Sequence, residues 1–131
     1  MNVRARILVA DDDDAMRTTV AFTLADDGYD VVEAASGNEV LERLLPASAE
    51  TFDLLLMDIR MPGLSGIDTL RRLRQNALAL PVILMTAFAT AELHAQANAL
   101  DAPLLSKPFR LDDLRRAAER TTRSAAADAR A

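Results

Sequence analysis

Asp53-Leu-Leu-Leu-Met-Asp58-Ile-Arg-Met-Pro62 reads as a short buried strand followed by a loop. The apolar run has the length of a typical strand, is bounded by polar residues and ends on Asp58. Gly63 and Gly66 continue the loop. Open α/β sheets bind their ligands at the carboxyl ends of strands, so Asp58 is a candidate functional residue. A simpler interpretation is that Asp58 is a solvated strand end or the cap of the following turn.

The rest of the chain alternates between predicted strands and predicted helices. An apolar, β-branched run predicts a strand at residues 6–10, and further apolar runs predict strands at residues 29–34, 82–86 and 103–106. Apolar residues at helical spacing predict helices at about residues 15–27, 36–46, 67–74, 90–100 and 111–123. Asp14 is predicted to cap the first helix, and Leu111 is predicted to face inward in the last one. The fourth helix is rich in Ala and has a narrow apolar stripe, so we expect its packing to be the weakest.

This alternation predicts an α/β fold, a doubly wound parallel sheet with helices on both faces. The strands at 6–10, 53–57 and 82–86 are apolar throughout, as central parallel strands should be. A flavodoxin-like five-stranded order, 2-1-3-4-5, with five flanking helices brings their carboxyl ends together at the switch point between strands one and three. The length favours one domain at residues 5–123, followed by a disordered Ala-rich tail at 124–131.

Composition excludes several classes of function. The net charge of −5 argues against a nucleic-acid surface, and the absence of cysteine excludes disulfides and thiolate metal sites. Neither a signal peptide nor a membrane span is predicted, so we expect a cytoplasmic protein with no membrane contact. His94 is the one histidine and is expected to be solvated on the fourth helix, which argues against a histidine phosphotransfer protein.

Charged and hydroxyl side chains collect at the carboxyl ends of the predicted strands, namely Asp11, Asp12, Asp58, Thr86 and Lys107. Converging carboxylates repel one another unless a cation neutralises them, and an oxygen-only ligand set favours Mg²⁺. Asp58 can then act as a carboxylate nucleophile towards phosphorus, with a Lys and a hydroxyl group binding the phosphoryl oxygens. Each residue alone also suits an ordinary structural role, as a surface lysine, a solvated turn or a β-branched strand residue. The ordered set on one rim indicates a phosphoryl-transfer site.

Four motifs carry this set: Ile7-Leu-Val-Ala-Asp11-Asp12, Leu55-Leu-Met-Asp58-Ile-Arg-Met-Pro62, Val82-Ile-Leu-Met-Thr86-Ala87 and Leu105-Ser-Lys107-Pro108-Phe109. With these motifs in this order, the chain resembles the receiver domain of bacterial two-component response regulators, in particular the chemotaxis regulators. The resemblance implies that Asp58 accepts a phosphoryl group from a phosphohistidine on a sensor histidine kinase or a histidine phosphotransfer protein. It also implies a signalling phosphoacceptor that assists its own phosphorylation and dephosphorylation, rather than an enzyme.

The resemblance assigns roles to individual residues of the site. Asp12, Asp58 and the backbone carbonyl of Arg60 are implied to bind Mg²⁺, and Asp11 is implied to act mainly through water. Lys107 is implied to pair with the phosphate, and the peptide bond between Lys107 and Pro108 is expected to be cis.

The switch of the family involves the neighbouring residues Thr86, Ala87 and Leu104. Thr86 is implied to swing inward to bond the phosphate, which opens space behind it. Most members fill that space with an aromatic residue, but this chain has Leu104 there. We expect Leu104 to weaken or replace the aromatic coupling. The implied output surface is the fourth helix, fifth strand and fifth helix, which would bind a downstream protein and is compatible with a phosphorylation-linked homodimer.

Arg60 and Phe88 each lie two residues after a site residue, at positions that tune dephosphorylation in the family. Both are bulky, so we expect them to hinder attack by water and to lengthen the phosphorylated lifetime. Asp13 and Asp14 extend the acidic run and are candidates for tightening cation binding.

The same residues are compatible with other interpretations. A haloacid dehalogenase-type phosphatase also uses an aspartyl phosphate after strand one, but its second acidic pair is not matched, since Glu92 and Asp101 are not placed as such a pair. A receiver-like interaction module that never binds phosphate is the principal alternative. No output domain is expected after residue 123, so the sequence fits either a stand-alone receiver or a fragment of a longer regulator.

Overall fold

A computed structural model of the protein describes residues 4–46 and 50–130. Within these residues, five parallel strands form one sheet in the order β2-β1-β3-β4-β5. The strands are β1 (Arg6–Ala10), β2 (Asp30–Ala34), β3 (Leu54–Asp58), β4 (Val82–Thr86) and β5 (Leu104–Ser106). The helices are α1 (Asp14–Asp26), α2 (Gly37–Leu44), α3 (Gly66–Gln75), α4 (Ala91–Ala99) and α5 (Leu111–Arg130). The predicted fold class and strand order are therefore confirmed.

The three central strands are buried on both faces, as their continuous apolar sequence predicts. In β3 and β4 every residue is buried, and in β1 four of five are. Because side chains alternate across a strand, Leu8 and Leu84 join the core under α2, α3 and α4, whereas Ile7 and Ile83 join the core under α1 and α5. This two-layer packing fixes the sheet and leaves its carboxyl edge free to carry function.

The start of α1 differs from the prediction by one residue. Asp13, not Asp14, is the N-cap, because its side chain accepts hydrogen bonds from the backbone N–H groups of Ala15 and Met16. Asp14 is the first residue of the helix itself. Ser36 caps α2, because its side chain accepts a hydrogen bond from the N–H of Glu39.

The last helix departs from the prediction in two ways. Leu114 and Ala118 are buried, but Leu111, which is the first residue of α5, is 41% exposed instead of facing inward. The helical backbone also continues to Arg130, through most of the segment expected to be a disordered tail. Ala and Arg are strong helix formers, which accounts for the continuation.

Helix α4 is held by few apolar contacts, in agreement with its sequence. Within Ala91–Ala99, Ala97 is the one buried residue, and His94 is exposed as predicted. Over the whole described part of the chain, no helix is both long enough and apolar enough to cross a membrane.

Candidate phosphoryl-transfer site

The candidate residues meet at the carboxyl edge of the sheet because backbone hydrogen bonds continue past the strand ends. The N–H of Asp11 donates to the carbonyl of Ala34 at 3.1 Å, and the N–H of Lys107 donates to the carbonyl of Thr86 at 2.7 Å. Asp58 is in register with Met85 of β4. The sheet thus sets the spacing of these side chains before they contact one another.

Asp11, Asp12 and Asp58 form an acidic cluster. One carboxylate oxygen from each lies within 4.8 Å of the other two. Asp11 is 1% exposed and Asp58 is 7% exposed, whereas Asp12 is exposed. Three converging carboxylates, two of them buried, form a set of oxygen donors that suits a hard divalent cation. The acidic cluster predicted from the sequence is therefore present, and its chemistry fits Mg²⁺.

Lys107 lies between two of these carboxylates. Its Nζ is 3.0 Å from Oδ1 of Asp58 and 3.2 Å from Oδ2 of Asp11, and its side chain is only 15% exposed. Burial lowers the pKa of Lys107, but its hydrogen bond and charge interaction with Asp58, together with Asp11, raise the pKa above the ordinary value overall. Lys107 is therefore a fixed ammonium ion. The Lys107–Pro108 peptide bond is cis, as the resemblance predicts.

The pKa of Asp58 is raised above its ordinary value. Burial is the largest cause, and the charges of Asp11 and Asp12 add to it, whereas Lys107 acts in the opposite direction. The carboxylate is thus incompletely neutralised by the protein alone. A further cation bound beside Asp58 would stabilise its ionised, nucleophilic form.

The other two Asp residues of the acidic run do not join the cluster. Asp13 uses Oδ1 to cap α1. Asp14 forms an ion pair with Arg17 at 2.7 Å. Their expected contribution to cation binding has no geometric support, because their carboxylates are engaged in local contacts at the start of α1.

Thr86 ends β4 beside Asp58 and is 2% exposed. Its Oγ accepts a hydrogen bond from the N–H of Phe88 at 3.0 Å. This bond uses the oxygen as an acceptor, so the O–H group can donate to another oxygen. Ala87 follows on the exposed side of the strand end.

Arg60 and Phe88 contact each other at the mouth of the site. The guanidinium carbon of Arg60 lies 4.2 Å from the centroid of the Phe88 ring, a cation–π geometry, and Phe88 is 57% exposed. A cavity of about 280 Å³, lined by Arg60, Thr86, Phe88 and Leu93 among others, opens beside this pair. The two residues predicted to tune dephosphorylation are therefore in direct contact.

Leu104 is half-buried and pairs with Leu84 in the sheet. It packs against the core cluster that also receives Leu93 and Leu100. A branched aliphatic side chain thus stands at the sequence position where the resemblance predicts an aromatic ring.

Two residues that support the site were not identified as such from the sequence. A Cβ atom on Gly66 would lie 2.4 Å from the carbonyl oxygen of Asp58, so only glycine allows α3 to begin this close to the strand end. Arg17 donates to the backbone carbonyl of Asp11 at 2.7 Å. A glycine soon after Asp58 in the sequence is a pattern that could have indicated the role of Gly66. No pattern in the sequence indicates the role of Arg17.

Comparisons with known proteins agree with this geometry. The family model of the response regulator receiver domain matches residues 7–119. The response regulator receiver protein CpdR of Brucella abortus is 41% identical over 110 residues, which cover 83% of this chain and 89% of CpdR. The transcriptional regulatory protein PhoP of Bacillus subtilis is 38% identical over 82 residues, covering 63% of this chain but 33% of PhoP.

Solved structures give the same result. The chemotaxis response regulator CheY4 of Vibrio cholerae has a TM-score of 0.79 at 30% identity, with 89% of this chain and 98% of CheY4 covered. A receiver domain of the Francisella response regulator 1452 has a TM-score of 0.85 at 27% identity, with 92% and 98% covered. This chain belongs to the response regulator receiver domain family.

Proposed function

We propose that Asp58 is the phosphoacceptor of a two-component signalling pathway. Its donor is a phosphohistidine on a sensor histidine kinase or a histidine phosphotransfer protein. A carboxylate oxygen of Asp58 forms a bond to phosphorus while the bond from phosphorus to the imidazole nitrogen breaks, and the imidazole keeps that electron pair. The product remains on the protein's own side chain, so the chain is a signalling phosphoacceptor and not an enzyme with a released product.

The observation that carries this proposal is the position of Lys107 between Asp58 and Asp11. The ammonium group of Lys107 lies 3.0 Å from the carboxylate of Asp58. When Asp58 carries the phosphoryl group, the ammonium group can contact a phosphoryl oxygen and stabilise its negative charge. Before the phosphoryl group arrives, Lys107 also neutralises part of the negative charge of Asp58 and its acidic neighbours.

The acidic cluster is the proposed Mg²⁺ site. Asp12, Asp58 and the backbone carbonyl of Arg60 would hold the ion, and Asp11 would act through water. When bound, Mg²⁺ supplies positive charge that neutralises oxygens of the transferring phosphoryl group. The set of oxygen donors, the burial of Asp11 and Asp58 and the raised pKa of Asp58 support this assignment.

Phosphorylation is proposed to switch the surface formed by α4, β5 and α5, to which a downstream protein binds. The added group brings about two negative charges next to Lys107 and Thr86. Thr86 then donates its O–H to a phosphoryl oxygen, and Ala87 moves with it. Leu104 follows into the space that Thr86 leaves, so the coupling depends on an aliphatic side chain. A phosphorylation-linked homodimer through this surface is a second form of the same output.

Leu104→Tyr tests the switch. A tyrosine restores the aromatic group at this position, and we expect it to increase the gain in partner affinity on phosphorylation by about threefold, or roughly 0.6 kcal/mol. Partner affinity, or dimer affinity by analytical ultracentrifugation, is measured with and without phosphorylation. An unchanged gain would show that Leu104 takes no part in the coupling.

Intact mass tests the phosphoacceptor itself. The protein is incubated with acetyl phosphate, with Mg²⁺ or with a chelator, as the parent chain and as Asp58→Ala. One added phosphoryl group that requires both Mg²⁺ and Asp58 is the expected result. Short incubations in the cold allow detection even when hydrolysis is fast.

Absence of any adduct under these conditions favours the alternative, a receiver-like module that binds its partner without phosphate. The complete set of Asp58, Thr86 and Lys107 argues against it, since a module with no phosphate to bind has no need for all three. Under either function, a cytoplasmic location is proposed, where kinases have access to ATP.

A further inference from the structure

The loop that carries Asp11 and Asp12 needs a restraint of its own. It holds two carboxylates close to a third, and their mutual repulsion favours moving the loop away. Lys107 contacts the side chain of Asp11 but comes from the far edge of the sheet. We propose that Arg17 is a positioning residue that fixes the main chain of this loop for cation binding, an inference that rests on the proposed function.

The guanidinium group of Arg17 is itself held on three sides. Nη1 donates to the backbone carbonyl of Asp11 at 2.7 Å, Nη2 to Asp14 at 2.7 Å and Nε to Glu33 at 3.1 Å. The side chain is only 16% exposed. A planar guanidinium with three fixed contacts is a rigid brace, which joins the loop to α1 and to the end of β2.

With Arg17 in place, the contacts of Asp11 fix both its main chain and its carboxylate. Its N–H donates to Ala34, its Oδ1 accepts from the N–H of Asp13 at 3.0 Å, and its Oδ2 contacts Lys107. Arg17 is the contact on its carbonyl, next to the peptide bond that leads to Asp12. Asp12 is exposed, so its direction depends on how firmly this peptide unit is held.

The direction of the change in cation affinity distinguishes a brace from a neighbouring positive charge. A positive charge near a cation site weakens cation binding, so removal of a mere neighbouring charge would tighten it. Removal of a brace has the opposite effect, because the carboxylates separate. Loss of a group that orients metal ligands typically lowers metal affinity by about 10- to 100-fold.

The experiment measures binding of Mn²⁺ by the electron paramagnetic resonance signal of the free ion, with Mg²⁺ as competitor. The variants are Arg17→Ala, Arg17→Lys and Glu33→Gln. Arg71→Ala is the control, because Arg71 forms a similar ion pair with Asp68 on α3, away from the acidic cluster. We expect Arg17→Ala to bind Mn²⁺ about tenfold more weakly, and Arg71→Ala to match the parent.

Arg17→Lys keeps the charge but loses the planar fork, so it should also bind more weakly than the parent, by a smaller factor. Glu33→Gln loosens the brace without removing it and serves if Arg17→Ala does not fold. Parent-like or tighter binding by the folded Arg17 variants would overturn the inference. If the parent itself binds no Mn²⁺ or Mg²⁺, the proposed cation site fails instead, and the intact-mass experiment tests phosphorylation separately.

Discussion

Helices α3 and α4 pack on the same face of the sheet but are held very differently. In α3 five residues are buried, and the helix begins with Gly66 against the backbone of Asp58. In α4, Ala97 is the one buried residue of Ala91–Ala99. Asp58, the proposed phosphoacceptor, therefore lies against the firmly packed helix α3, whereas α4, the helix proposed to respond, is loosely packed. Segments with few buried apolar contacts are the ones that move at low cost in free energy.

A single arginine anchors the far end of α4. Arg74 in α3 donates to the carbonyl of Leu100 at 3.0 Å, and also to the carbonyls of Leu78 and Leu80. The end of α4 near the site begins at the cap Thr90, where the cavity beside Arg60 and Phe88 opens. This asymmetry favours movement of the site end of α4 about its anchored end.

The largest expected effect tests the packing difference directly. Leu73 in α3 is fully buried, whereas Leu93 in α4 is only partly buried. We expect Leu73→Ala to lower the free energy of unfolding by about 3 kcal/mol and Leu93→Ala by about 1 kcal/mol, because the cost of truncation depends on the cavity left behind. Urea unfolding followed by circular dichroism gives both values. Equal losses would contradict the contrast between the two helices.

Gly66→Ala is expected to have the next largest effect, about 2 kcal/mol of destabilisation. The new Cβ would lie 2.4 Å from the carbonyl oxygen of Asp58 and 2.9 Å from Cα of Ile59, so the backbone beside Asp58 has to move. Phosphorylation by acetyl phosphate should also slow.

Gly63→Ala is the matched control in the same loop. Gly63 has φ +77° but nothing within 4 Å of an added Cβ, so it carries only the left-handed strain of about 1 kcal/mol. A Gly66→Ala variant with the same stability and phosphorylation rate as Gly63→Ala would show that the close approach to Asp58 is unimportant.

Removal of the Arg60–Phe88 contact tests the region beside the loosely packed helix α4. In Arg60→Ala combined with Phe88→Ala, water reaches Asp58 more easily, and we expect the phosphoryl group to hydrolyse about tenfold faster, or about 1.4 kcal/mol in activation free energy. Loss of the phosphorylated mass with time gives the rate. Because the two side chains touch, the single variants should each have much of the double variant's effect. An unchanged rate in the double variant would refute the shielding role.

The sequence predicted the fold well because the fold depends on local patterns. Continuous apolar runs identified the central strands, and the alternation of strands with helices indicated that the strands are parallel. The residues of the candidate site were also predictable, because each lies at or next to the carboxyl end of a strand. Asp58, Thr86 and Lys107 could thus be placed on one rim before any contact was known.

The parts that the sequence did not predict depend on contacts between distant segments. Four adjacent Asp residues are equivalent candidates for a helix cap, so only the direction of the chain after β1 selects Asp13. Leu111 is the first residue of α5, and its helical spacing alone does not show that this position stays exposed. Arg17 reaches Glu33, 16 residues away, and nothing in the spacing of charges distinguished it from a surface arginine.

The smallest expected effect concerns the free energy of unfolding that is lost because the ionised carboxylate of Asp58 is buried beside α3. Its pKa is raised in the folded protein, chiefly by burial, so folding favours the protonated form. In a chelator, the stability contributed by Asp58 is therefore greatest below the unfolded pKa of about 4 and is lost as the pH rises through the raised folded pKa. Asp58→Asn has no such ionisation, and at pH 7 we expect it to be more stable than the parent by about 1 kcal/mol.

The difference between Asp58→Asn and the parent should shrink below pH 4, where both side chains are neutral, and saturating Mg²⁺ should stabilise the parent more than the variant. Lys107 keeps its contact with Asp11 in the variant, so the ammonium ion does not become an unpaired buried charge. Thermal unfolding across pH, with and without Mg²⁺, gives these comparisons. A variant less stable than the parent at pH 7 in chelator would mean that the contact between Lys107 and Asp58 outweighs burial, so that the acidic cluster needs no further cation to be stable.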